Sequence, residues 1–180
     1  MRVIAGRLGA RRLKAPAGKG VRPTSDRVRE ALFAMLGELD GARVLDLFAG
    51  SGALGIEALS RGAAGVVFVE RDAAAVTVLK ENLKTLQIEP GEAEVRRADA
   101  LGALRSAGAR KETYDLVFID PPYGQAREWA PRLQALLPPL LSPAARVVVE
   151  SDRRAPLELA APLQRERRYG DTLIRIHRSQ

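Results

Sequence analysis

The chain has 180 residues, 46% of them hydrophobic and 28% charged, so it is long enough to bury a core as one ordinary domain. It has no cysteine and one histidine, which excludes disulfides and thiolate metal sites and argues against structural zinc, so we expect no metal. The net charge is +7, and the first 30 residues, with nine basic and two acidic side chains, carry all of it. Such a basic segment on a neutral body indicates a polyanionic partner, although a solubilising tail would have the same composition.

The N-terminal segment predicts a small basic arm followed by a helix. Residues 2–14 are short, basic and partly alternating, which indicates a hairpin or an extended arm. After a Gly/Pro-rich loop, Thr24 or Ser25 can cap a helix whose apolar stripe is Val28, Ala31, Leu32, Met35 and Leu36. We assign residues 1–40 to this basic hairpin and helix extension, and residues 41–180 to the main domain. Because there is no apolar signal or membrane-spanning run, we expect a cytoplasmic protein.

From residue 42 onward, apolar runs alternate with helical segments, which predicts an α/β fold with a mostly parallel sheet. The predicted strands are 43–48, 65–70, 93–97, 115–120 and 144–150, with helices over 54–61 and 72–86. Two further strands, 163–169 and 172–178, flank Gly170-Asp171 and predict a closing antiparallel hairpin. Pro138, Pro139 and Pro143 indicate a loop. No spare apolar stripe remains, which favours a monomer.

A glycine-rich loop follows the first strand of the main domain. Gly50, Gly52 and Gly55 form G-x-G-x-x-G between a strand and a helix, which is the dinucleotide-binding pattern in its usual context. Asp46 just before the loop would repel a pyrophosphate, and it suits a ligand with amine and sulfonium charge such as S-adenosylmethionine. Glu70, at the end of the second strand, can accept both ribose hydroxyls. Asp99 can accept from an adenine amine, or it can simply cap a helix.

The most specific motif is Asp120-Pro121-Pro122-Tyr123-Gly124 after the fourth strand. The prolines end the strand in a rigid turn at the point where open α/β sheets bind ligands. The Asp120 carboxylate and the Pro121 carbonyl oxygen can accept the two N–H bonds of an exocyclic base amine and stabilise the positive charge that develops on nitrogen. Tyr123 offers a ring on which the base stacks. We therefore predict Asp120, Pro121, Pro122 and Tyr123 as the catalytic set.

With these motifs the chain resembles the RsmD-type 16S ribosomal RNA guanine-N2 methyltransferases over nearly its whole length. The resemblance is carried by residues 2–6, 11–13, 22–33, 46–55, 70–71, 99–100, 120–124 and 169–172. It implies a seven-stranded Rossmann-like S-adenosylmethionine-dependent methyltransferase fold and a guanine substrate in the 16S rRNA of the 30S subunit or its assembly intermediate. The Arg-Pro-Thr element at 22–24 is the part most particular to this family. The candidate cofactor-binding residues are Asp46, Phe48, Ala49, Gly50, Ser51, Gly52, Glu70, Arg71, Asp99 and Ala100. The candidate RNA-binding residues are Arg2, Arg7, Arg11, Arg12, Lys14 and Arg22.

Three other functions stay open at this point. An adenine-N6 methyltransferase acting on DNA or RNA would use the same catalytic tetrapeptide. A dehydrogenase would explain the glycine loop but not the Asp-Pro-Pro-Tyr turn, and a non-catalytic RNA-binding factor would explain only the basic arm. We expect His177 at the surface and Trp129 in core or lid packing. The basic clusters at 153–154 and at Arg165, Arg167 and Arg168 are either solvated faces or a second RNA contact.

Overall fold

One seven-stranded sheet organises the chain, in the strand order β3-β2-β1-β4-β5-β7-β6. The computed structural model describes residues 1–15, 25–122 and 126–179. The first five strands are parallel, and β7 lies antiparallel between β5 and β6. This arrangement confirms the predicted parallel sheet with its closing hairpin. The strands are β1 (Arg43–Asp46), β2 (Gly65–Glu70), β3 (Ala93–Arg97), β4 (Tyr114–Ile119), β5 (Leu141–Asp152), β6 (Leu163–Tyr169) and β7 (Thr172–Arg178).

Helices cover both faces of the sheet, because alternate residues of each buried strand point to opposite sides. Val44, Phe118 and Val148 lie on one face, which packs against the first three helices; we call it the α1 face. Leu45 and Val117 lie on the other face, which packs against the last two helices. The helices are α1 (Asp26–Leu36), α2 (Ala53–Ser60), α3 (Ala73–Thr85), α4 (Ala100–Ala109) and α5 (Ala126–Leu136). In the part of the chain that is described, none of them is long and apolar enough to cross a bilayer.

The structure differs from the sequence prediction at the start of β5. A 3₁₀ turn at Pro138–Leu140 leads directly into the strand, which begins at Leu141 and therefore contains Pro143. The pairing with β4 is irregular there: Tyr114 lies opposite Leu141, and the next paired positions are Leu116 and Arg146. The prediction of a loop through Pro143 was wrong because this bulge accommodates a residue that has no N–H for the ladder.

The structure also corrects the prediction that His177 lies at the surface, since this residue is only 3% exposed. Its strand, β7, is not the edge of the sheet but lies between β5 and β6. The Nδ1 atom lies 2.8 Å from the carbonyl oxygen of Ala161, and burial lowers the pKa of the ring. The expectation of a surface histidine was wrong because the order of the strands, and not the nearness of the chain end, determines its burial.

The basic N-terminal residues form a hairpin that packs on α2. Val3 donates to the carbonyl of Arg11 at 2.9 Å, and Val3 belongs to the same hydrophobic cluster as Leu59 of α2. The buried carboxylate of Glu57 in α2 accepts from the backbone N–H groups of Ile4 at 2.6 Å and Ala5 at 3.1 Å. The predicted hairpin is therefore a docked element. The division of the chain at residue 40 stays a prediction about its organisation.

Gly6 provides a test of this docking. It has φ +80°, and a Cβ added there would lie 1.8 Å from the carbonyl oxygen of Ser60 in α2. We expect Gly6→Ala to lower the free energy of unfolding by about 2–3 kcal/mol, because the hairpin must shift away from α2. Gly91→Ala is the matched control, since a Cβ there would meet no atom within 4 Å. Equal denaturant midpoints for the two variants would show that the hairpin is not held as described.

Candidate active site

The carboxyl ends of β1 and β4 form the centre of the site. The chain runs outward from β1 through β2 to β3, and then returns to the other side of β1 to form β4 and β5. In open α/β sheets such a reversal separates the loops that follow the two neighbouring strands, and ligands bind between them. The glycine loop after β1 and the Asp120-Pro121-Pro122 turn after β4 meet there. The structure thus brings the two predicted motifs to one edge of the sheet.

The three glycines of the loop have different physical roles. A Cβ on Gly52 would lie 2.3 Å from Leu79, and one on Gly55 would lie 2.2 Å from the ring of Phe68, so Gly52 is needed for the approach of α3 and Gly55 for α2 to pack closely on β2. Gly50 has φ +54°, and a Cβ there would meet nothing within 4 Å. The open side of Gly50 is where a ligand can approach the backbone. Ser51 is buried, and its carbonyl accepts from Asn82 of α3 at 3.0 Å.

Glu70 at the end of β2 holds the glycine loop in place. One carboxylate oxygen accepts from the N–H of Gly50 at 2.9 Å, and the other accepts from the N–H of Asp72 at 2.8 Å. Each carboxylate oxygen has two lone pairs, so the group can still accept hydroxyl donors. Arg71 follows it as an exposed residue.

The other predicted cofactor residues line the same edge. Ala49 is buried, and its N–H donates to the carbonyl of Val69 at 3.0 Å. The ring of Phe48 packs edge-on against Trp129, with ring centres 5.0 Å apart, which agrees with the packing role expected for Trp129. Asp99 is exposed and accepts from the N–H of Gly102, so it caps α4, whose first residue is the buried Ala100. The cap was one of the two roles left open for Asp99, and its contact with adenine stays a prediction.

Asp46 is buried at the end of β1. Its carboxylate accepts from the N–H of Gly55 at 3.1 Å, in the first turn of α2. Burial raises its pKa to about 7, the hydrogen bond from Gly55 opposes that rise, and the charge of Glu70 adds to it. At neutral pH the carboxyl group is therefore only partly ionised in the free protein. The bond to Gly55 aligns the glycine loop with β1, a role that the sequence argument, based on charge alone, did not include.

Asp120 lies beside a second buried carboxylate, Glu150 of β5. Ile119 and Val149 are paired across β4 and β5, so the next residues along, Asp120 and Glu150, are neighbours on the α1 face. Burial raises the pKa of Asp120 well above its usual range, and the nearby charges of Glu150 and Asp46 raise it further. Sequence reasoning missed Glu150. The available signal was an acid ending the apolar run Val147-Val148-Val149, as Asp46, Glu70 and Asp120 end theirs.

The structure describes two more residues of the predicted catalytic set. Pro121 is buried and Pro122 is exposed, while Tyr123 lies outside the described residues. No group of three or more His, Asp or Glu side chains in the described ranges is placed to hold a metal ion.

The predicted RNA-binding cations mostly contact the protein itself. Arg7 forms an ion pair with Glu92, and the Lys14 ammonium lies 2.8 Å from a carboxylate oxygen of Glu81. Such exposed pairs are weak, so a phosphate could still compete for these side chains.

The remaining cations of the hairpin differ in their surroundings. Arg2 lies 3.5 Å from Asp26, and Arg11 donates to two carbonyl oxygens at the carboxyl end of α3, at 2.7 and 3.1 Å. Arg12 is exposed and forms no ion pair with any residue in the described ranges. Arg22 lies outside those ranges. The role of the hairpin in RNA binding therefore stays a prediction.

Comparison with known proteins identifies the family. Residues 1–178 match the model of the family described as conserved hypothetical protein 95. The chain belongs to this family. The RsmD-type resemblance is confirmed by its relatives. The Bacillus subtilis protein YlbH, an rRNA methyltransferase by name, is 43% identical over 189 residues, covering all of both chains. The Escherichia coli K12 ribosomal RNA small subunit methyltransferase D is 45% identical over 124 residues, covering 68% of this chain and 60% of that protein.

A solved structure supports the same family at the level of the fold. The Escherichia coli protein yhhF, named as a methyltransferase, superposes with a TM-score of 0.82 and 38% identity, covering 100% of this chain and 98% of that one. The chain therefore has the Rossmann-like methyltransferase fold of the RsmD-type family.

Asp46 makes the stability of this family member depend on pH. Its pKa rises from 3.8 to about 7 on folding, so the folded protein keeps a proton that the unfolded chain releases in this range. Stability from this group is therefore present at low pH and is lost as pH rises toward 7. The difference in the free energy of unfolding between Asp46→Asn and the wild type should therefore change with pH. From about pH 5 to about pH 8, it should move by about 2–3 kcal/mol in favour of Asp46→Asn. Urea titrations at several pH values measure this. Glu89→Gln, at an exposed carboxylate, should track the wild type, and a pH-independent difference for Asp46→Asn would refute the assignment.

Proposed function

We propose that this protein transfers a methyl group from S-adenosylmethionine to the exocyclic N2 amine of a guanine in 16S rRNA of the small ribosomal subunit, acting in the cytoplasm. The observation that carries the proposal is the position of the Asp120-Pro121-Pro122 turn beside the glycine loop at the reversal point of the sheet. The glycine loop can hold a cofactor, while the Asp120-Pro121-Pro122 turn offers hydrogen-bond acceptors for an amine. A dehydrogenase would have no use for those acceptors.

The residues at the edge of the sheet fit the cofactor. The open side of Gly50 leaves room for a ligand against the backbone, and Glu70 stands beside it with free lone pairs for ribose hydroxyls. Asp46 places partial negative charge beneath the loop, which suits a ligand that carries amine and sulfonium charge. When bound, S-adenosylmethionine supplies an electrophilic methyl group, and the chain provides its position.

Asp120 and Pro121 act on the base amine in this proposal. The carboxylate of Asp120 accepts one N–H and the carbonyl oxygen of Pro121 accepts the other, which aligns the nitrogen lone pair for attack. As the N–CH₃ bond forms and the methyl–sulfur bond breaks, positive charge passes from sulfur to nitrogen, next to the carboxylates of Asp120 and Glu150, which stabilise it. The raised pKa of Asp120 makes it a stronger base, so it can take up the proton that the methylated nitrogen then loses.

The substrate assignment rests on the family. The Arg-Pro-Thr element at 22–24 is characteristic of the RsmD-type enzymes, and the Escherichia coli relative is named for the small-subunit rRNA. The 30S particle or its assembly intermediate is the proposed partner.

Glu70 tests the cofactor site. We expect Glu70→Ala to weaken S-adenosylmethionine binding more than about tenfold, because two ribose hydroxyls lose a charged acceptor and the glycine loop loses its contact at Gly50. Isothermal titration calorimetry measures this, with Glu89→Ala as the control at an exposed carboxylate. Tight NADH binding by the wild type, with none for S-adenosylmethionine, would overturn the cofactor assignment.

Asp120 tests the reaction. On 30S subunits from a strain that lacks this protein, Asp120→Ala should lower turnover at least about a hundredfold and leave cofactor affinity within about twofold. Mass spectrometry of the rRNA methylated by the wild type should show N2-methylguanine. The detection of N6-methyladenine would instead assign the enzyme to the alternative amine, and a near-normal single-turnover rate for Asp120→Ala would refute its role.

A further inference from the structure

Four arginines lie together on the α1 face of the last three strands. Arg146 of β5 is the direct partner of Arg178 on β7. Arg165 and Arg167 of β6 are paired with Ile176 and Ile174, which belong to the hydrophobic cluster on the α1 face. Because residues paired across strands share a face, all four guanidinium groups lie on that side. We call Arg146, Arg165, Arg167 and Arg178 the basic edge.

The positive charge of the basic edge is not neutralised within the described part of the protein. None of its four members forms a salt bridge there, and the contacts of Arg146 are to uncharged carbonyl oxygens, those of Leu36 and Glu38. In contrast, the neighbouring arginines are paired with acids. Arg168 lies 3.1 Å from Glu166, and Arg175 lies 2.7 Å from Glu158.

The arrangement of Arg146 and Arg178 is unfavourable unless an anion joins them. Like charges directly opposite each other on paired strands are destabilising. Burial and the charge of Arg178 both lower the pKa of Arg146, while Asp115 opposes this. Together with Gln164 and Ala144, the two arginines line a cleft of about 360 Å³. Two guanidinium groups and an amide around a cleft form a donor set suited to phosphate oxygens.

The basic edge is aligned with the active site. Glu150 pairs with Ile174, and Ile174 pairs with Arg167, so Arg167 lies in the same row as the active-site carboxylates and on the same face. Adjacent strands are about 4.8 Å apart, which places the Arg167 backbone about 14 Å from that of Asp120. Arg146 precedes Glu150 by four residues, or about 13 Å along β5. A polyanion bound to the basic edge would therefore run alongside the Asp120 turn.

We propose that the basic edge binds the phosphate backbone of the RNA strand whose base enters the Asp120 site. This inference rests on the proposed function and assigns its main RNA contact to the C-terminal hairpin. In the N-terminal hairpin, by contrast, Arg7 and Lys14 already have acidic partners in Glu92 and Glu81, which a phosphate would have to displace. An arginine-rich edge strand can also serve only to prevent edge-to-edge pairing of sheets, and the experiment must separate the two roles.

The test removes three exposed charges while keeping Arg146, which supports the end of α1. Arg165→Ser/Arg167→Ser/Arg178→Ser is compared with Arg105→Ser/Lys111→Asn/Arg132→Ser, which removes the same charge from exposed positions elsewhere. Asparagine is used at 111 because Lys111 has φ +56°, which asparagine tolerates. Filter binding of 16S rRNA and of 30S subunits is measured over a salt series.

For the basic-edge variant, we expect the slope of log affinity against log salt to fall by about 2, at about 0.7 per lost phosphate contact on single-stranded RNA. The Michaelis constant should rise at least about tenfold, and the saturated single-turnover rate and cofactor affinity should change less than about threefold. The control variant should bind like the wild type. The charge-preserving Arg165→Lys/Arg167→Lys/Arg178→Lys should keep most of the slope, because counterion release depends on charge.

Two outcomes would overturn the proposal. One is an equal loss of affinity in the basic-edge and control variants, which would mean that only net charge matters. The other is wild-type RNA affinity in the basic-edge variant. Aggregation of that variant would then assign the arginines to the prevention of edge-to-edge pairing of sheets. Since binding is measured apart from methylation, a wild type that binds RNA without methylating it would refute the proposed function while still testing the basic edge.

Discussion

The close packing of α2 against the sheet is the constraint on which the rest of the structure depends. It requires a residue without a side chain at Gly55, where a Cβ would overlap Phe68 of β2, and the approach of α3 requires the same at Gly52, where a Cβ would overlap Leu79. The beginning of α2 is then near enough for its N–H at Gly55 to reach Asp46, which fixes the glycine loop relative to β1. Further along, the same helix presents Glu57, which binds the N-terminal hairpin through two backbone N–H groups. One short helix thus positions both the glycine loop and the hairpin.

Negative charge is concentrated at the carboxyl edge of the sheet. Asp46, Asp120 and Glu150 lie near the carboxyl ends of three adjacent strands on the α1 face, where Asp46 and Glu150 are buried and Asp120 is half-buried. Their mutual repulsion and desolvation raise the pKa of Asp120, which costs stability in the free protein. In the proposed reaction, Asp46 favours a positively charged cofactor, while Asp120 and Glu150 favour a nitrogen that becomes positive during methyl transfer. The electrostatic cost of gathering these acids and the proposed chemistry of the site therefore have a common cause.

On the folded protein, the cations without acidic partners do not lie where the net positive charge of the sequence lies. All of the net charge falls within the first 30 residues, yet the hairpin they begin is held to the body partly by ion pairs and by hydrogen bonds to helix carbonyls. The later part of the chain is neutral overall, but its acids and bases are separated in space. Glu158 and Glu166 contact Arg175, which leaves Arg165 and Arg167 without acidic partners among the described residues. Local pairing, and not net charge, determines where a polyanion finds free cations.

Much of the fold followed from the sequence alone, because its signals are local. The apolar runs before Asp46, Glu70 and Asp120 predicted the parallel strands, and Gly170-Asp171 predicted the closing hairpin, since periodicity and turn residues act within a few positions. The acids and glycines that follow those strands were predicted as site residues because parallel strands bring their carboxyl ends to one edge. What only the tertiary structure decided depends on which distant residues become neighbours. The order β5-β7-β6 buried His177 and paired Arg146 with Arg178, and the pairing of β4 with β5 placed Glu150 beside Asp120. Strand order and register are set by the packing of the whole sheet, and no local pattern in the sequence encodes them.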